Sequence, residues 1–284
     1  MSRRAKNLNR SLTRVLRTFG LLETARRAEL RWRTGQPRAL PDAVILGAQK
    51  SGTSSLHNYL TQHSGVTAPL RKEVHFFDLN FARGEDWYRA HFGRVGEPGL
   101  NLDSSPYYLF HPSVPQRLRA MLPAARLIVL LRDPVRRAYS NYWHERDKGR
   151  ESLSFEDAIA AEPGRIDAAH ARLADGTLER SHEHQHFSYL ARGRYAEQLG
   201  RWFEQFPREQ FLILRFEDLV ADPLAVLNQT LEFVGLPPAE SVDLEARNTR
   251  RYPPITAATA ARLREYYEPW NRRLEALLGR PMGW

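Results

Sequence analysis

The chain contains no cysteine among its 284 residues. Disulfide bonds and thiolate metal sites are therefore excluded, and the composition is compatible with a reducing compartment. No apolar run approaches the roughly 20 residues that span a bilayer. The N-terminus is basic, but it lacks the continuous apolar segment of a cleaved signal peptide. The sequence therefore predicts a cytoplasmic protein.

Acidic residues are also outnumbered: 33 Asp and Glu stand against 42 Lys and Arg, for a net charge of +9. Such a surplus suits anionic partners such as a nucleotide, an acidic polysaccharide, an anionic lipid or nucleic acid. An arginine-rich surface that serves only solubility gives the same balance, so the sign of the charge does not choose among these partners. The length and the 42% hydrophobic content allow a sizeable core.

The first 40 residues differ in pattern from the rest of the chain. Leucine, valine and phenylalanine recur at three- and four-residue spacing among arginines in residues 3–33, which predicts a basic amphipathic helix. We therefore expect residues 1–40 to form this helix and a linker, and residues 41–284 to form one α/β domain. The helix can make a peripheral contact with a membrane surface, pack on the domain, or pack on another subunit of a homo-oligomer.

Apolar runs alternate with helical patterns through the second region. The runs predict strands at 43–47, 100–103, 126–131 and 211–216. Helical spacing predicts helices at 54–63, 113–121, 134–147, 195–206 and 223–234, and Ser154 with Asp157 resembles a capping box. Residues 163–186 are polar, and we interpret them as an irregular surface excursion. The alternation predicts a three-layer, P-loop-like α/β fold whose central, mostly parallel sheet is flanked by helices.

A glycine loop joins the first predicted strand to the first predicted helix. It reads Gly47-Ala-Gln-Lys-Ser-Gly-Thr-Ser-Ser-Leu56, in the context where backbone N–H groups converge on a phosphate. A Walker A loop has its lysine directly after the second glycine, but here Thr53 follows Gly52 and the lysine is Lys50. The loop therefore suits a phosphate-like group other than the β- and γ-phosphates of ATP.

A second strand-to-helix junction carries Arg132, and Ser140 lies about two turns into the helix that follows. Ligands of open α/β sheets bind at the carboxyl ends of strands, so this arginine and hydroxyl can hold a second phosphate. The alternative is that Arg132 pairs with Asp133 at the start of the helix. The loop upstream favours the phosphate site.

Between the two junctions, Glu73 and His75 alternate with apolar residues. On an extended segment both would face the same way, and a carboxylate beside an imidazole can supply a general base. A surface ion pair of Glu73 with Lys72 or Arg71 is an equal alternative from spacing alone.

Six blocks of sequence, in this order, resemble the PAPS-dependent sulfotransferase family, where PAPS is 3′-phosphoadenosine 5′-phosphosulfate. They are GAQKSGTSSL, KEVHFFD, Asp103-Ser-Ser-Pro-Tyr-Tyr-Leu109, LIVLLRDPVRRAYSNYWH, RYAEQLGRWFEQFP and QFLILRFEDLVADP. The resemblance covers about residues 42–284, and it is strongest to the heparan sulfate N- and O-sulfotransferases and their bacterial relatives. It implies in-line sulfuryl transfer from PAPS to a hydroxyl or amine, with release of adenosine 3′,5′-bisphosphate. The implied acceptor is a carbohydrate or glycoconjugate, saccharide or lipid-linked; neither a metal nor nucleic acid is implied.

The resemblance also implies a role for particular positions. The implied catalytic residues are Glu73 as base, Lys50 at the departing charge, and His75 as neighbour and second choice of base. The residues implied to bind the donor are Lys50, Ser51, Gly52, Thr53 and Ser54 for the 5′-phosphosulfate, Arg132 and Ser140 for the 3′-phosphate, and Arg250 in a C-terminal loop over the nucleotide.

The sequence departs from the heparan-acting relatives at three places. Ser104 stands where they carry lysine, Asn248-Thr249-Arg250 replaces K-G-R, and a cysteine-bridged hairpin is missing. These departures preserve the donor site and leave the acceptor open.

Three further features have two interpretations each. His182, His184 and His186 alternate as they would on one face of a strand, which allows a zinc site, although a solvated or acceptor-facing loop is favoured. Arg192 and Arg194 can face an anionic acceptor. The tryptophans at helical spacing are expected in the core rather than as sugar platforms: Trp87, Trp143, Trp202 and Trp270.

Two other functions compete with sulfuryl transfer. A P-loop kinase requires a lysine after Gly52 and a Walker B aspartate, for which Asp103 or Asp133 would have to serve. A basic protein that binds anionic surfaces, with a vestigial site, requires only the N-terminal helix and the net charge. Stabilisation by adenosine 3′,5′-bisphosphate, by ATP·Mg²⁺ or by neither distinguishes the three.

Overall fold

The computed structural model describes residues 23–24, 26–31, 35, 37–239, 241–245 and 252–284. Its strands form one parallel sheet in the order β2-β3-β1-β4-β5. The strands are β1 (Ala43–Gly47), β2 (Val66–Thr67), β3 (Leu100–Ser104), β4 (Arg126–Leu131) and β5 (Phe211–Arg215). The chain therefore moves to one side of β1 for β2 and β3 and then to the other side for β4 and β5. Such a reversal of strand order opens a crevice at the carboxyl edge of the sheet, where α/β proteins bind ligands.

Helices cover both faces of the sheet. They are α1 (Thr53–Leu60), α2 (Phe76–Leu79), α3 (Glu85–Arg89), α4 (Val114–Met121), α5 (Pro134–Asp147), α6 (Phe155–Ala174), α7 (His182–His186), α8 (Tyr195–Phe203), α9 (Phe216–Ala221), α10 (Pro223–Phe233) and α11 (Ala257–Leu278). The predicted three-layer α/β architecture is confirmed, and within the described residues every strand pairing is parallel.

Strands β1 and β4 are apolar on both faces, as a sheet covered on both sides requires. Val44 and Leu46 pack in one core, with aromatic side chains of α2, α3 and α8, whereas Ala43 and Ile45 pack in a second core with α1 and α10. Trp202 is fully buried in the first core and Trp87 nearly so. These two tryptophans confirm the prediction that they belong to the core.

The interpretation of residues 163–186 as irregular is wrong. α6 continues through Pro163 to Ala174, and α7 spans His182–His186. Ile159, Ile166 and Leu173 bury one face of α6, and the sequence Glu162-Pro163-Gly164 conceals this periodicity. Other elements were also not predicted: the half-buried, two-residue β2, which is too short to show a pattern, and the helices α2, α3, α9 and α11.

Much of the predicted N-terminal helix, including residues 1–22, lies outside the described residues. Residues 26–31 are helical. Among the helices that the structure describes, none combines the length and the apolar character needed to cross a bilayer.

Candidate active site

The glycine loop lies at the carboxyl end of β1, directly against β4. The N–H of Ala48 donates to the carbonyl of Leu130 at 2.8 Å, so the loop starts beside the neighbouring strand. Gly52 caps α1 with φ 87°, and a Cβ there would lie 2.9 Å from Cδ2 of Phe216. A glycine is therefore required both by the backbone conformation and by the close approach of the loop to α9.

The start of α1 supplies donors that suit an anion. The first backbone N–H groups of a helix lack intrahelical partners, and the helix dipole favours negative charge there. Ser51 is fully buried, and its hydroxyl has no hydrogen-bond partner within the described part of the chain. A buried, unsatisfied hydroxyl at a helix N-terminus is a group that an anionic ligand would satisfy.

Arg132 lies at the end of β4 and contacts this loop. Its Nη1 donates to the carbonyl oxygen of Lys50 at 3.0 Å, and its guanidinium carbon lies 4.5 Å from the ring centre of Phe216. Its Nε is buried with no described partner. The structure therefore brings together two of the predicted donor-binding elements, the loop and Arg132.

The alternative for Arg132 fails, because Asp133 has other partners. The Asp133 carboxylate accepts from the N–H groups of Val135 and Arg136 and so caps α5. Its ion-pair partner is the Arg136 side chain, at 3.7 Å. Arg132 therefore does not pair with Asp133 and contacts the glycine loop instead.

Ser140 lies in the second turn of α5 and is almost fully buried. Arg250 lies outside the described residues. Where the description resumes, Tyr252 stacks on Trp143, and Tyr139 donates to the carbonyl of Pro253 at 2.9 Å. Residues 252–253 therefore rest on Tyr139 and Trp143 of α5.

Glu73 and His75 lie against the end of β3, on the other side of β1. The N–H of Glu73 donates to the carbonyl of Ser104 at 3.0 Å, and the N–H of His75 donates to Oγ of Ser105 at 3.1 Å. Both residues have positive φ, at 62° and 54°, so the expected extended segment is wrong. The two side chains nevertheless meet, with His75 Nε2 3.5 Å from Glu73 Oε2.

These two side chains belong to a chain of charges. Lys72 Nζ lies 2.9 Å from Glu73 Oε1, and His75 Nδ1 lies 2.7 Å from Asp78 Oδ2. The ion pair with Lys72, considered from the sequence as an alternative to a catalytic role, is thus part of the same arrangement. Glu73 remains 43% exposed, whereas Asp78 is buried.

The charges fix the protonation states at neutral pH. Burial alone would lower the pKa of His75, but the Asp78 and Glu73 carboxylates outweigh it and raise that pKa to about 10. Burial alone would raise the pKa of Glu73, but His75 and Lys72 outweigh it and hold that pKa well below its usual range. At neutral pH Glu73 is therefore a partly exposed carboxylate and His75 is an imidazolium.

Sequence reasoning gave no role to two residues of this site. Asp78 holds His75 protonated, and its signal was available as the final residue of the KEVHFFD block. His57 lies on α1, and burial, reinforced by the nearby Lys72 charge, lowers its pKa to about 4. His57 lies close enough to Lys72 and Glu73 for their charges to act on its pKa.

Arg192, Arg194 and the histidines of α7 are not arranged as the sequence predicted. Arg192 is only 3% exposed, and Arg194 donates to the Tyr266 hydroxyl at 2.8 Å, so the expectation that Arg192 faces an acceptor is wrong. His182 and His186 are ring neighbours on α7, whereas His184 is buried against Tyr107. The histidines lie on a helix rather than a strand, and no cluster of ligands for a metal occurs in the described ranges.

The residues that a kinase would use for Mg²⁺ are occupied. Asp103 is fully buried, accepts from the Tyr88 hydroxyl at 2.9 Å, and has its pKa raised by burial. Asp133 caps α5. Thr53 is the first residue of α1 and stands where a Walker lysine would. The arrangement can therefore hold two anionic groups and deprotonate a nucleophile, but it lacks the Walker residues.

Comparison with known proteins agrees with this geometry. Residues 40–251 match the family described as the sulfotransferase domain. Human heparan sulfate glucosamine 3-O-sulfotransferase 6 is 30% identical over 272 residues, covering 87% of this chain and 74% of that protein. The membrane-associated sulfotransferase kil1 of Dictyostelium discoideum is 26% identical over 318 residues, covering 88% and 68%. The crystal structure of a sulfotransferase from Alicyclobacillus acidocaldarius is 32% identical, covers 86% of this chain and 98% of that one, and superposes with a TM-score of 0.71. The chain belongs to the sulfotransferase family, and it is a sulfotransferase.

Proposed function

We propose that this sulfotransferase moves a sulfuryl group from PAPS to a hydroxyl of a carbohydrate acceptor and releases adenosine 3′,5′-bisphosphate. The observation that carries the proposal is the contact of Arg132 with the carbonyl of Lys50. It joins two anion-binding elements at the ends of adjacent strands, and PAPS carries two separate anionic groups.

The residues present fit this donor. When bound, PAPS supplies a sulfuryl group attached to a phosphate that leaves. Lys50, Ser51, Gly52, Thr53 and Ser54 would hold the phosphosulfate, and the unsatisfied Ser51 hydroxyl supports that assignment. Arg132, Ser140 and Arg250 would hold the 3′-phosphate. Ser140 is buried close to the start of the helix that follows Arg132, which supports a compact site.

The residues on the acceptor side would act on the proton. Glu73 accepts the proton of the attacking hydroxyl, because it is ionised and partly exposed. His75 stays protonated and orients that carboxylate. Lys50 and the loop N–H groups stabilise charge that develops on the departing phosphate. His75 as the base is disfavoured, because its pKa is raised to about 10.

The carbohydrate acceptor is supported by the relatives, several of which are named heparan sulfate glucosamine 3-O-sulfotransferases. Ser104 is fully buried here, with a hydroxyl that has no described partner, at the position where heparan-acting relatives carry lysine. We therefore expect an acceptor that is less anionic than heparan, free or lipid-linked.

Two measurements test the proposal. The melting temperature is compared with adenosine 3′,5′-bisphosphate, with ATP·Mg²⁺ and without ligand; stabilisation by the bisphosphate alone is expected. Labelled sulfate transfer from PAPS is then assayed across saccharides, glycolipids and amines. A response to ATP·Mg²⁺ alone would support a kinase, and no response to either nucleotide would support a basic surface-binding protein.

The N-terminal region has a proposed role of its own. We propose that residues 1–40 are a basic helix and linker outside the catalytic domain of residues 41–284. In this proposal the segment of residues 3–33 touches an anionic membrane surface from the cytoplasm. Co-sedimentation with phosphatidylserine vesicles before and after removal of residues 1–33 tests the contact, and light scattering of both forms tests for a homo-oligomer.

A further inference from the structure

A buried arginine connects the two halves of the site. The guanidinium of Arg192 donates to the side-chain oxygen of Gln49, the residue directly before Lys50 in the glycine loop. It also lies over the ring of Tyr107, at 4.7 Å from the ring centre. Tyr107 follows two residues after Ser105, whose hydroxyl accepts from the backbone of His75. One side chain therefore contacts both the donor loop and Tyr107, in the segment whose Ser105 hydroxyl accepts from the backbone of His75.

The backbone that presents Arg192 is held on several sides. The Glu162 carboxylate accepts from the N–H groups of Leu190 and Ala191, at 2.6 and 2.8 Å. The Gln198 amide donates to the Arg192 carbonyl at 2.9 Å. A Cβ at Gly193 would lie 2.6 Å from the Tyr267 hydroxyl, so the turn is packed tightly against α11. These contacts hold the turn in place, so that it presents the Arg192 side chain in a fixed orientation.

The chemistry of the contact determines the orientation of Gln49. A guanidinium has only donors, so the Gln49 amide must present its oxygen to Arg192, which leaves its NH₂ group for another partner. The second terminal nitrogen of Arg192, Nη2, donates to the carbonyl of Gln185 at 2.6 Å. In the described part of the chain no carboxylate lies within ion-pair distance of Arg192. A buried cation without such a partner is costly to the folded state.

We propose that Arg192 is a positioning residue of sulfuryl transfer. By holding Gln49 it sets where the glycine loop lies relative to the segment that bears Glu73 and His75. It does not touch the reacting groups in this proposal; it acts through Gln49. The idea rests on the proposed function for its kinetic consequences, and on the ligand-free protein for its structural ones.

The structural consequence is measured by hydrogen exchange on the ligand-free enzyme. Arg192→Met should accelerate exchange in a peptide that covers residues 47–56, and Gln49→Ala should do the same. Arg194→Met is the matched control, because Arg194 leaves the same turn but donates to Tyr266 instead. Unchanged exchange of this peptide in Arg192→Met would overturn the proposal, whatever the donor is.

The kinetic consequence is measured below the melting temperature of each variant. Arg192→Met should lower kcat by about 10²-fold, the order of effect of a small misplacement of reacting groups, while the acceptor KM stays near that of the wild type. Arg192→Lys keeps the charge but not the forked geometry, so it should recover only part of this loss. The double variant Arg192→Met with Gln49→Ala should be no slower than Arg192→Met alone.

A purely structural role gives a different pattern. It would lower the melting temperature of Arg192→Met, leave kcat of the folded enzyme unchanged, and make the two substitutions additive; that pattern would overturn the proposal. A wild-type enzyme that does not respond to adenosine 3′,5′-bisphosphate would refute the proposed donor instead, and the exchange experiment would still decide the role of Arg192.

Discussion

The two halves of the active site are built from different groups. On the donor side, the loop at the end of β1 relies on backbone groups and on glycine at residue 52, and Arg132 contacts a backbone carbonyl. On the acceptor side, the end of β3 carries a chain of charged side chains, from Lys72 through Glu73 and His75 to Asp78. In the proposed function the first half recognises the anionic groups of the donor, whereas the second half sets protonation states. Substitutions in the two halves should therefore change different kinetic constants.

The largest effect is expected on the acceptor side. Glu73→Gln should lower kcat by about 10³-fold, because a general base is lost. Its affinity for adenosine 3′,5′-bisphosphate should stay at the wild-type level, since the donor half is intact. Sulfate transfer and calorimetric binding measure the two quantities. Near-normal turnover would show that Glu73 is not the base.

Lys50→Ala should affect both kinetic terms on the donor side. We expect kcat to fall by about 10²- to 10³-fold, because a charge that stabilises the leaving phosphate is removed. The donor KM should rise as well. The same assay at saturating acceptor measures both, with circular dichroism as the control for folding. A change confined to the acceptor KM would contradict the assignment of Lys50 to the donor.

Asp78→Asn tests how the acceptor half sets its protonation. Removing this carboxylate should lower the pKa of His75 from its raised value of about 10. The alkaline fall in activity should therefore move to lower pH, and kcat at neutral pH should drop by about tenfold, as for a lost hydrogen bond to a charged group. A pH–rate profile across the neutral and alkaline range measures both. An alkaline limb that does not move would refute the coupling.

The ion pair of His75 with Asp78 also makes the stability of the protein depend on pH. The folded pKa of His75 lies above its ordinary 6.5. Its contribution to the free energy of unfolding is therefore complete below about pH 6.5 and is lost as the pH rises through about 10. The melting temperature of the wild type should fall over this interval more steeply than that of Asp78→Asn.

Gly52→Ala tests the backbone of the donor half. The residue has φ 87°, and its new Cβ would meet the Phe216 ring at 2.9 Å, so the free energy of unfolding should fall by about 1–3 kcal/mol. Gly164→Ala is the control, because Gly164 lies inside α6, where the added Cβ would meet no atom within 4 Å apart from its chain neighbours and the nearby backbone of its own helix. Equal stability of the two variants in urea would contradict this account of the loop.

Ser51→Ala should give the smallest effect. The hydroxyl is buried without a described partner, so its removal costs the free protein little. Affinity for adenosine 3′,5′-bisphosphate should fall only about two- to fivefold, the size of a single neutral hydrogen bond. Calorimetry measures the change. Unaltered affinity would indicate that the hydroxyl does not contact the donor.

The contrast between the donor half and the acceptor half also explains which features of the site could be predicted from the sequence. The donor loop is a contiguous strand, glycine turn and helix start, so its position follows from local pattern. The Glu73–His75 pair was identified from residue type, but its backbone was predicted extended, because nothing local shows that both residues adopt positive φ. His57 and Arg192 join the site only through the tertiary fold, which brings His57 near Lys72 and Glu73 and brings Arg192 onto Gln49. The helix over residues 163–174 was not predicted, because Pro163 and Gly164 are helix breakers by propensity. In the fold, burial of Ile166 and Leu173 outweighs that propensity.

The stack between Trp143 and Tyr252 has a practical consequence. Their rings lie 6.1 Å apart and nearly parallel, with one on α5 and the other directly after residues 246–251. An indole in such contact changes its emission when the neighbouring ring departs. The protein therefore carries an intrinsic optical reporter of the contact between α5 and residues 252–256. Comparison of the wild type with Tyr252→Leu isolates its signal, so that loss of this contact on unfolding can be followed by fluorescence without a label.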